Sequence, residues 1–407
     1  MTTAWDASEA GFLTRRVGAA VAVRTDVTVV VADGLPPGRG TDGVFSVERV
    51  GCSPPDRRGA RTLLAALEAA AGAGPLPPRL VPGEVRTALH RSWGEGLEEI
   101  AAALTGLAPD AVVVADHRHQ AAWAGPLRTA ASALDGSCRV TLLPLALDDT
   151  QLALSAADGV LAGWDAILAT SSWEADLLGR TLPSRAGTTP NPAIHQLGLA
   201  LEPPCAAGSP LPVGDEPDAR QPDAALPGDG PPPSASSPHL LLIIGGTRAG
   251  VAAPPAPLPP EAEHLALRHP DRPLLVATPE ATTLVEGRSR RSLAPLDRPS
   301  LWRVMRSAVA TVDLRTDQVL AREVLESLLL GTPAVVPAVS GPARDHVERA
   351  NGGLWFGDAV DLVGCVERLL DGDLRDRLGA QGQRWTTRVH ADRNAFVGSS
   401  LGAVLGH

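Results

Sequence analysis

A chain of 407 residues, 44% apolar and 20% charged, holds enough apolar material for two globular cores and suits two domains of roughly 150 to 200 residues each. A formal net charge of −10, with acids and bases interspersed and no arginine-rich run, excludes a phosphate-backbone binder, so nucleic acid is not expected as a partner. Cys52, Cys138, Cys205 and Cys365 stand far apart with no CxxC, which excludes a zinc ribbon or disulfide framework and suits a reducing cytoplasm.

In chain order, apolar runs at 27–32, 44–50, 111–115, 139–145, 165–170 and 193–199 read as strands. Helical patterns lie between most of them, at 8–24, 58–72, 95–106, 119–133, 150–161 and 172–180. A doubly wound domain usually opens with a buried strand, yet the first signal here is a helix. Either the chain's start is placed too late, or that strand is missing. Residues 201–238 are rich in Pro, Gly, Asp and Ser and carry no periodicity, so they read as a linker or disordered insertion. Beyond it, strands are predicted at 239–246, 273–278, 309–314, 333–338 and 353–356, again with helices between. Near-continuous Val, Ile and Leu strands separated by helices predict two α/β domains with parallel sheets covered on both faces.

No apolar run reaches the roughly 18 residues of a membrane span, and the first ten residues are no signal peptide. The expectation is a cytoplasmic protein with no integral membrane segment, leaving peripheral membrane contact open. A Rossmann-type epimerase or reductase is excluded by chemistry, because it needs a Tyr–Lys pair and the chain has neither residue. No Gly-x-Ser-x-Gly elbow is present. Asp116, His117 and His119 follow the apolar run at 111–115, where side chains at the carboxyl ends of parallel strands line a ligand crevice. The Asp-His-x-His spacing permits two metal ligands, but without a partner cluster no metal site is expected.

The segment from Gln318 to Val347, QVLAREVLESLLLGTPAVVPAVSGPARDHV, is the most informative. On a helical wheel Leu320, Val324, Leu325, Leu328 and Leu329 share one face, with Glu326 nearly opposite beside Glu323. Periodicity alone makes Glu326 a solvated residue. The order Glu326, Gly331-Thr332-Pro333, an apolar strand and then Ser340-Gly341 opening a helix resembles the C-terminal domain of family-4-type glycosyltransferases of the GT-B fold, also termed glycosyl transferases group 1. The resemblance extends to PSLWRVMRSAVATVDL before it and DAVDLVGCVERLLDGDLRDRLGAQGQRW after it, and more weakly to SEAGFLTRRVGAAVAVRTDVTVVVADG, WDAILATSSWEADLL and IHQLGLALEPP in the first half.

The resemblance implies an α/β GT-B fold, two Rossmann-like domains facing a cleft. Residues 1–200 would form the acceptor-side domain, 201–238 the linker, 239–390 the nucleotide-sugar domain, and 391–407 a helix crossing back to the first. The implied activity is retaining transfer of a sugar from a nucleotide-diphosphate sugar to a glycan, lipid or small-molecule acceptor, with no cofactor besides that co-substrate. Glu326 would bind the ribose hydroxyl pair, since a carboxylate accepts from both vicinal groups at once. Gln318 stands where the family has a second glutamate that contacts the donor sugar. Gly245, Gly246 and Arg248 form the phosphate loop, with Gly246 replacing a family arginine. Thr332, Ser340 and Gly341 complete the donor side, the last two through backbone N–H groups at a helix N-terminus. His117 is the catalytic candidate facing the donor sugar, with Asp116 and His119 on the acceptor side. Leu147 breaks a second family signature in LLPLALDDTQL. These departures keep a second expectation open, a glycosyltransferase-derived binding or scaffold protein without turnover.

Overall fold

The computed structural model describes residues 9–31, 38–49, 97–117, 138–145, 164–182, 192–201, 239–243, 259–270, 274–277, 290–293, 298–316 and 320–406. The predicted helices at 58–72, 119–133 and 150–161 lie outside these residues. The chain forms two compact units, Met1–Ala200 with Arg393–His407, and Leu201–Asp392.

The first unit contains α1 (Glu9–Ala22), β1 (Thr28–Val31), β2 (Gly38–Asp42), β3 (Phe45–Arg49), α2 (Leu97–Leu107), β4 (Ala111–His117), β5 (Arg139–Leu145), β6 (Ala166–Ala169), α3 (Ser172–Thr181) and β7 (Ala193–Gln196). Strands β4-β5-β6-β7 pair in that order, all parallel. Their alternate side chains Val112, Val114, Val140, Leu142 and Ile167 bury against Leu104 of α2 and Leu178 of α3. The remaining sheet departs from the all-parallel expectation: β1 is parallel to β3, but β2 is antiparallel to it. Strand β2, Gly-Arg-Gly-Thr-Asp, has no apolar run and escapes a hydropathy reading. A two-residue loop, Gly43-Val44, makes the hairpin, with Gly43 at φ 60°.

A helix from the far end of the chain completes this unit. In α10 (Arg393–Leu405), the Ala403 carbonyl accepts from Arg139 Nε at 2.8 Å and from Thr141 Oγ1 at 3.1 Å, both on β5. Gly406 then ends the helix at φ 78°, its N–H donating to the Gly402 carbonyl.

The second unit comprises β8 (His239–Ile243), α4 (Pro260–Arg268), β9 (Leu274–Ala277), β10 (Arg290–Leu293), α5 (Arg298–Ser307), β11 (Ala308–Asp313), α6 (Arg322–Leu329), β12 (Ala334–Pro337), α7 (Gly341–Ala350), β13 (Gly353–Phe356), α8 (Ala359–Leu369) and α9 (Gly372–His390). Strand β10 was not expected, since Arg-Arg-Ser-Leu carries no apolar run. The six strands are all parallel in the order β10-β9-β8-β11-β12-β13. Renumbered within the unit this is the 3-2-1-4-5-6 order of a doubly wound sheet, whose chain reverses direction between β8 and β11. Both faces are apolar: Leu240 and Leu242 pack under α4 and α8, Leu241 and Ile243 under α5.

The Gly-Thr-Pro turn is held by α9. Gly331 takes φ 81°, and its carbonyl lies so close to Gly379 that a Cβ there would collide with the oxygen. Gly379→Ala is therefore expected to lower the unfolding free energy by about 2 kcal/mol or more, read from the denaturant midpoint.

Candidate functional site

In doubly wound sheets ligands bind beyond the carboxyl ends of the strands, where the strand order reverses. In the second unit that places interest at the end of β11, on Asp313, and on the first turns of α5 and α6. These elements carry a chain of six alternating charges. Asp313 accepts from Arg315 Nε at 2.9 Å and from Nη2 at 2.6 Å, and the same Nη2 donates to Glu323 Oε2 at 2.6 Å. Glu323 Oε1 accepts from Arg298 Nη1 at 2.9 Å, which also reaches Glu326 Oε2 at 2.9 Å. Glu326 Oε1 accepts from Arg322 Nε at 2.8 Å. The last pair has the i, i+4 spacing of one helical turn.

Glu326 is thus not solvated. Its side chain is 2% exposed, and every residue from Val324 to Leu329 is buried. The wheel reading fails because α6 has no free face: the sheet, α7, α9 and the arginines surround it. Burial pushes the carboxyls of Glu326 and Asp313 up against the opposing pull of their arginines. Glu323 goes the other way. Burial opposes ionisation there too, but Arg315 and Arg298 together hold it well below the usual carboxylate range.

Beneath this ladder a neutral network fixes the Gly-Thr-Pro turn. The Thr332 hydroxyl donates to the Met305 carbonyl at 2.9 Å, and its N–H to the Ser327 carbonyl at 2.9 Å. The Ser327 hydroxyl lies 2.8 Å from Thr311 Oγ1. After β12, Ser340 caps α7 by position, with Gly341 and Pro342 opening the helix. Its hydroxyl is buried without a hydrogen-bond partner among the described residues, while its own N–H donates to the Pro337 carbonyl.

Gln318, Gly245, Gly246 and Arg248 fall outside the described residues, as does His119. Asp116 and His117 occupy the last two positions of β4, in register with Pro144 and Leu145 of β5. The strand therefore runs two residues beyond the predicted apolar run. Arg298, Arg315, Arg322 and Asp313 were not singled out from the sequence. The Arg322–Glu326 spacing and the charges closing the run at 309–314 were the available signals.

At the carboxyl edge of the first unit, β6 runs through Thr170 and Ser171 into α3. The Ser171 hydroxyl caps the helix by accepting from the Glu174 N–H at 3.1 Å. Glu174 reaches back, its Oε2 accepting from the Thr170 N–H at 2.6 Å and the Thr170 hydroxyl at 2.8 Å. Ser172 Oγ donates to Gln196 Oε1 at 3.2 Å, joining the ends of β6 and β7. Burial raises the Glu174 carboxyl from 4.5 to about 7, against the pull of both Thr170 bonds.

Two outcomes are expected. Removing one member of a buried ion network strands its partners, so Glu326→Ala should cost about 3 kcal/mol of unfolding free energy in denaturant melts. Glu174 binds its proton more tightly folded than unfolded, so stability falls as pH rises from 4.5 to about 7 and is level above that. The drop should approach about 3 kcal/mol and vanish in Glu174→Gln.

No protein-family model matches the chain, and no curated sequence matches it either. Solved structures do. Sucrose-phosphate synthase from Thermosynechococcus elongatus is similar at 15% identity over 95% of this chain and 90% of that one, with a TM-score of 0.57. WaaG, a glycosyltransferase involved in lipopolysaccharide biosynthesis, is 13% identical over 98% and 97% of the two chains, with a TM-score of 0.53. HepE from Anabaena, in complex with UDP and glucose, is 10% identical over 99% and 98%, with a TM-score of 0.53. At these identities the likeness is one of fold. The chain has the α/β GT-B fold of glycosyltransferases, with Rossmann-like parallel sheets. Among the described residues no helix is long and apolar enough to cross a membrane.

Proposed function

We propose that the chain transfers a sugar from a nucleoside-diphosphate sugar to a glycan, lipid or small-molecule hydroxyl, with retention at the anomeric carbon. The observation that carries this reading is Glu326, a buried carboxylate at the reversal point of a doubly wound sheet, in a fold shared with glycosyltransferases across nearly the whole chain. Glu326 would accept from the ribose hydroxyl pair, exchanging its bond with Arg298 for the ligand. The first N–H groups of α7, with Gly341 and the Ser340 hydroxyl, which has no partner among the described residues, would face the diphosphate. Gly245, Gly246, Arg248 and Gln318 complete the donor side of the proposal, and Thr332 shapes the turn beneath it. Asp116, His117 and His119 form the acceptor side, with His117 nearest the reacting carbon. The acceptor oxygen bonds to the anomeric carbon as that carbon's bond to the diphosphate breaks; the diphosphate leaves with the electron pair, and its oxygen takes the acceptor hydroxyl's proton. Positioning and stabilisation of that charge supply the rate, so no protein nucleophile is needed. A co-substrate of this kind is made in the cytoplasm, where we place the protein.

A second reading, a binding protein derived from such enzymes, is favoured by one feature of the site. Both Glu326 oxygens already accept from arginines, at 2.9 Å and 2.8 Å. Gln318 and the absence of lysine point the same way.

Calorimetric titration with UDP-, GDP- and ADP-sugars, followed by donor-hydrolysis assays, separates the two. The transferase reading expects binding, turnover and an affinity loss of about tenfold or more in Glu326→Gln, about 1.4 kcal/mol. Binding without turnover selects the second reading. No binding of any nucleoside diphosphate at millimolar concentration removes both.

A further inference from the structure

Away from the charge ladder, the second unit buries two histidines that the proposed transfer does not use. His346 lies on α7 and His390 is the last residue of α9, each 1% exposed. Their ring centroids are 5.1 Å apart, edge to face at 85°. Trp385 packs on both, 5.0 Å from His390 and 6.0 Å from His346. None of the four ring nitrogens closes a hydrogen bond of good geometry among the described residues, and neither does the buried Thr386 hydroxyl beside Trp385.

Such a cluster is stable with neutral rings. A proton on either imidazole puts a charge against an indole and a second imidazole, in a buried site that favours the neutral ring. Burial therefore dominates, lowering His346 to about 4 and His390 well below its ordinary value. Asp345 on α7 and the Leu320 carbonyl ahead of α6 favour charge on His346, while Arg349 opposes it. Asp345 Oδ1 already accepts from Arg349 Nε at 2.9 Å, which blunts its pull. For His390 the opposing charge is that of His346.

The position of His390 makes this consequential. The chain passes between the two units at 200/201 and at 392/393. The Leu201 N–H donates to the His390 carbonyl at 2.6 Å, so one hydrogen bond ties the two passages together. Its acceptor residue is also a member of the buried pair.

We propose that His346 and His390 form a proton-operated latch: as neutral rings they lock the last turn of α9 and its bond to Leu201, and a proton on either ring releases both. The sign follows from burial. The folded state holds protons more weakly than the unfolded one, so the latch is fully stable above pH 6.5 and weakens as pH falls toward about 4.

Hydrogen exchange of the full chain, followed by mass spectrometry at about pH 7.5 and about pH 5, tests this. After correction for intrinsic rates, the amides of Leu201 and of the last two turns of α9 are expected to open more at the lower pH. The gain approaches about tenfold per pH unit below the unfolded histidine value for each ring that opening exposes, while β8 and β12 stay unchanged. The double variant His346→Gln with His390→Gln, neutral at both pH values, should lose the response. Equal exchange at the two pH values in the native chain overturns the latch, as does an acid response surviving in the double variant. If that variant does not fold, NMR of Cε1-labelled histidine in the native chain decides. Two rings that stay neutral until the α9 amides open support the latch. All histidines titrating with ordinary midpoints, with no change in exchange, overturn it.

Discussion

Three carboxylates and three guanidinium groups, withdrawn from water at the edge of a parallel sheet, must satisfy one another or leave the interior. The second unit meets this condition with an alternating order, Asp313–Arg315–Glu323–Arg298–Glu326–Arg322, in which every charge has an opposite neighbour. Desolvation makes each ion costly alone, and attraction in a poorly screened region offsets that cost only when geometry is maintained. The ladder therefore ties three elements together. It fixes the entry of α5, the exit of β11 and the first turn of α6 at the edge where such sheets receive ligands. Any ligand that engages Glu326 must break into this chain, so affinity and local stability are coupled here.

The same turn is constrained from below by close contact rather than charge. Thr332 and Ser327 pair polar atoms inside the unit, and α9 approaches the Gly331 carbonyl at Gly379, where no side-chain carbon fits. Ladder and turn thus meet on α6, one stiffened by electrostatics and the other by packing. The buried histidines lie at the far end of α9, where a different rule holds. There burial favours imidazole without its second proton.

Much of this architecture could be read in the residues. The strand runs at 139–145, 239–246 and 309–314 are mostly apolar because both faces of a parallel sheet are covered; β5 and β8 fall within them, and β11 begins one residue earlier. Strands β2 and β10 were invisible because Gly, Arg, Ser, Thr and Asp carry no hydropathy signal, and only pairing with a neighbour makes them strands. The candidate site was legible in part. The motif around Gly331 singled out Glu326 by resemblance, whereas its arginine partners come from α5 and from α6 itself.

By itself the sequence determined the α/β class, the doubly covered parallel sheets and the glycine at the end of α6, because period, apolar runs and backbone freedom are local properties. Only the tertiary structure decided that Glu326 is buried rather than solvated, that Arg298 and Arg322 hold it, and that two histidines 44 positions apart in number, His346 and His390, share one buried contact. Burial and charge pairing depend on which elements meet in space, and a linear pattern carries no record of that.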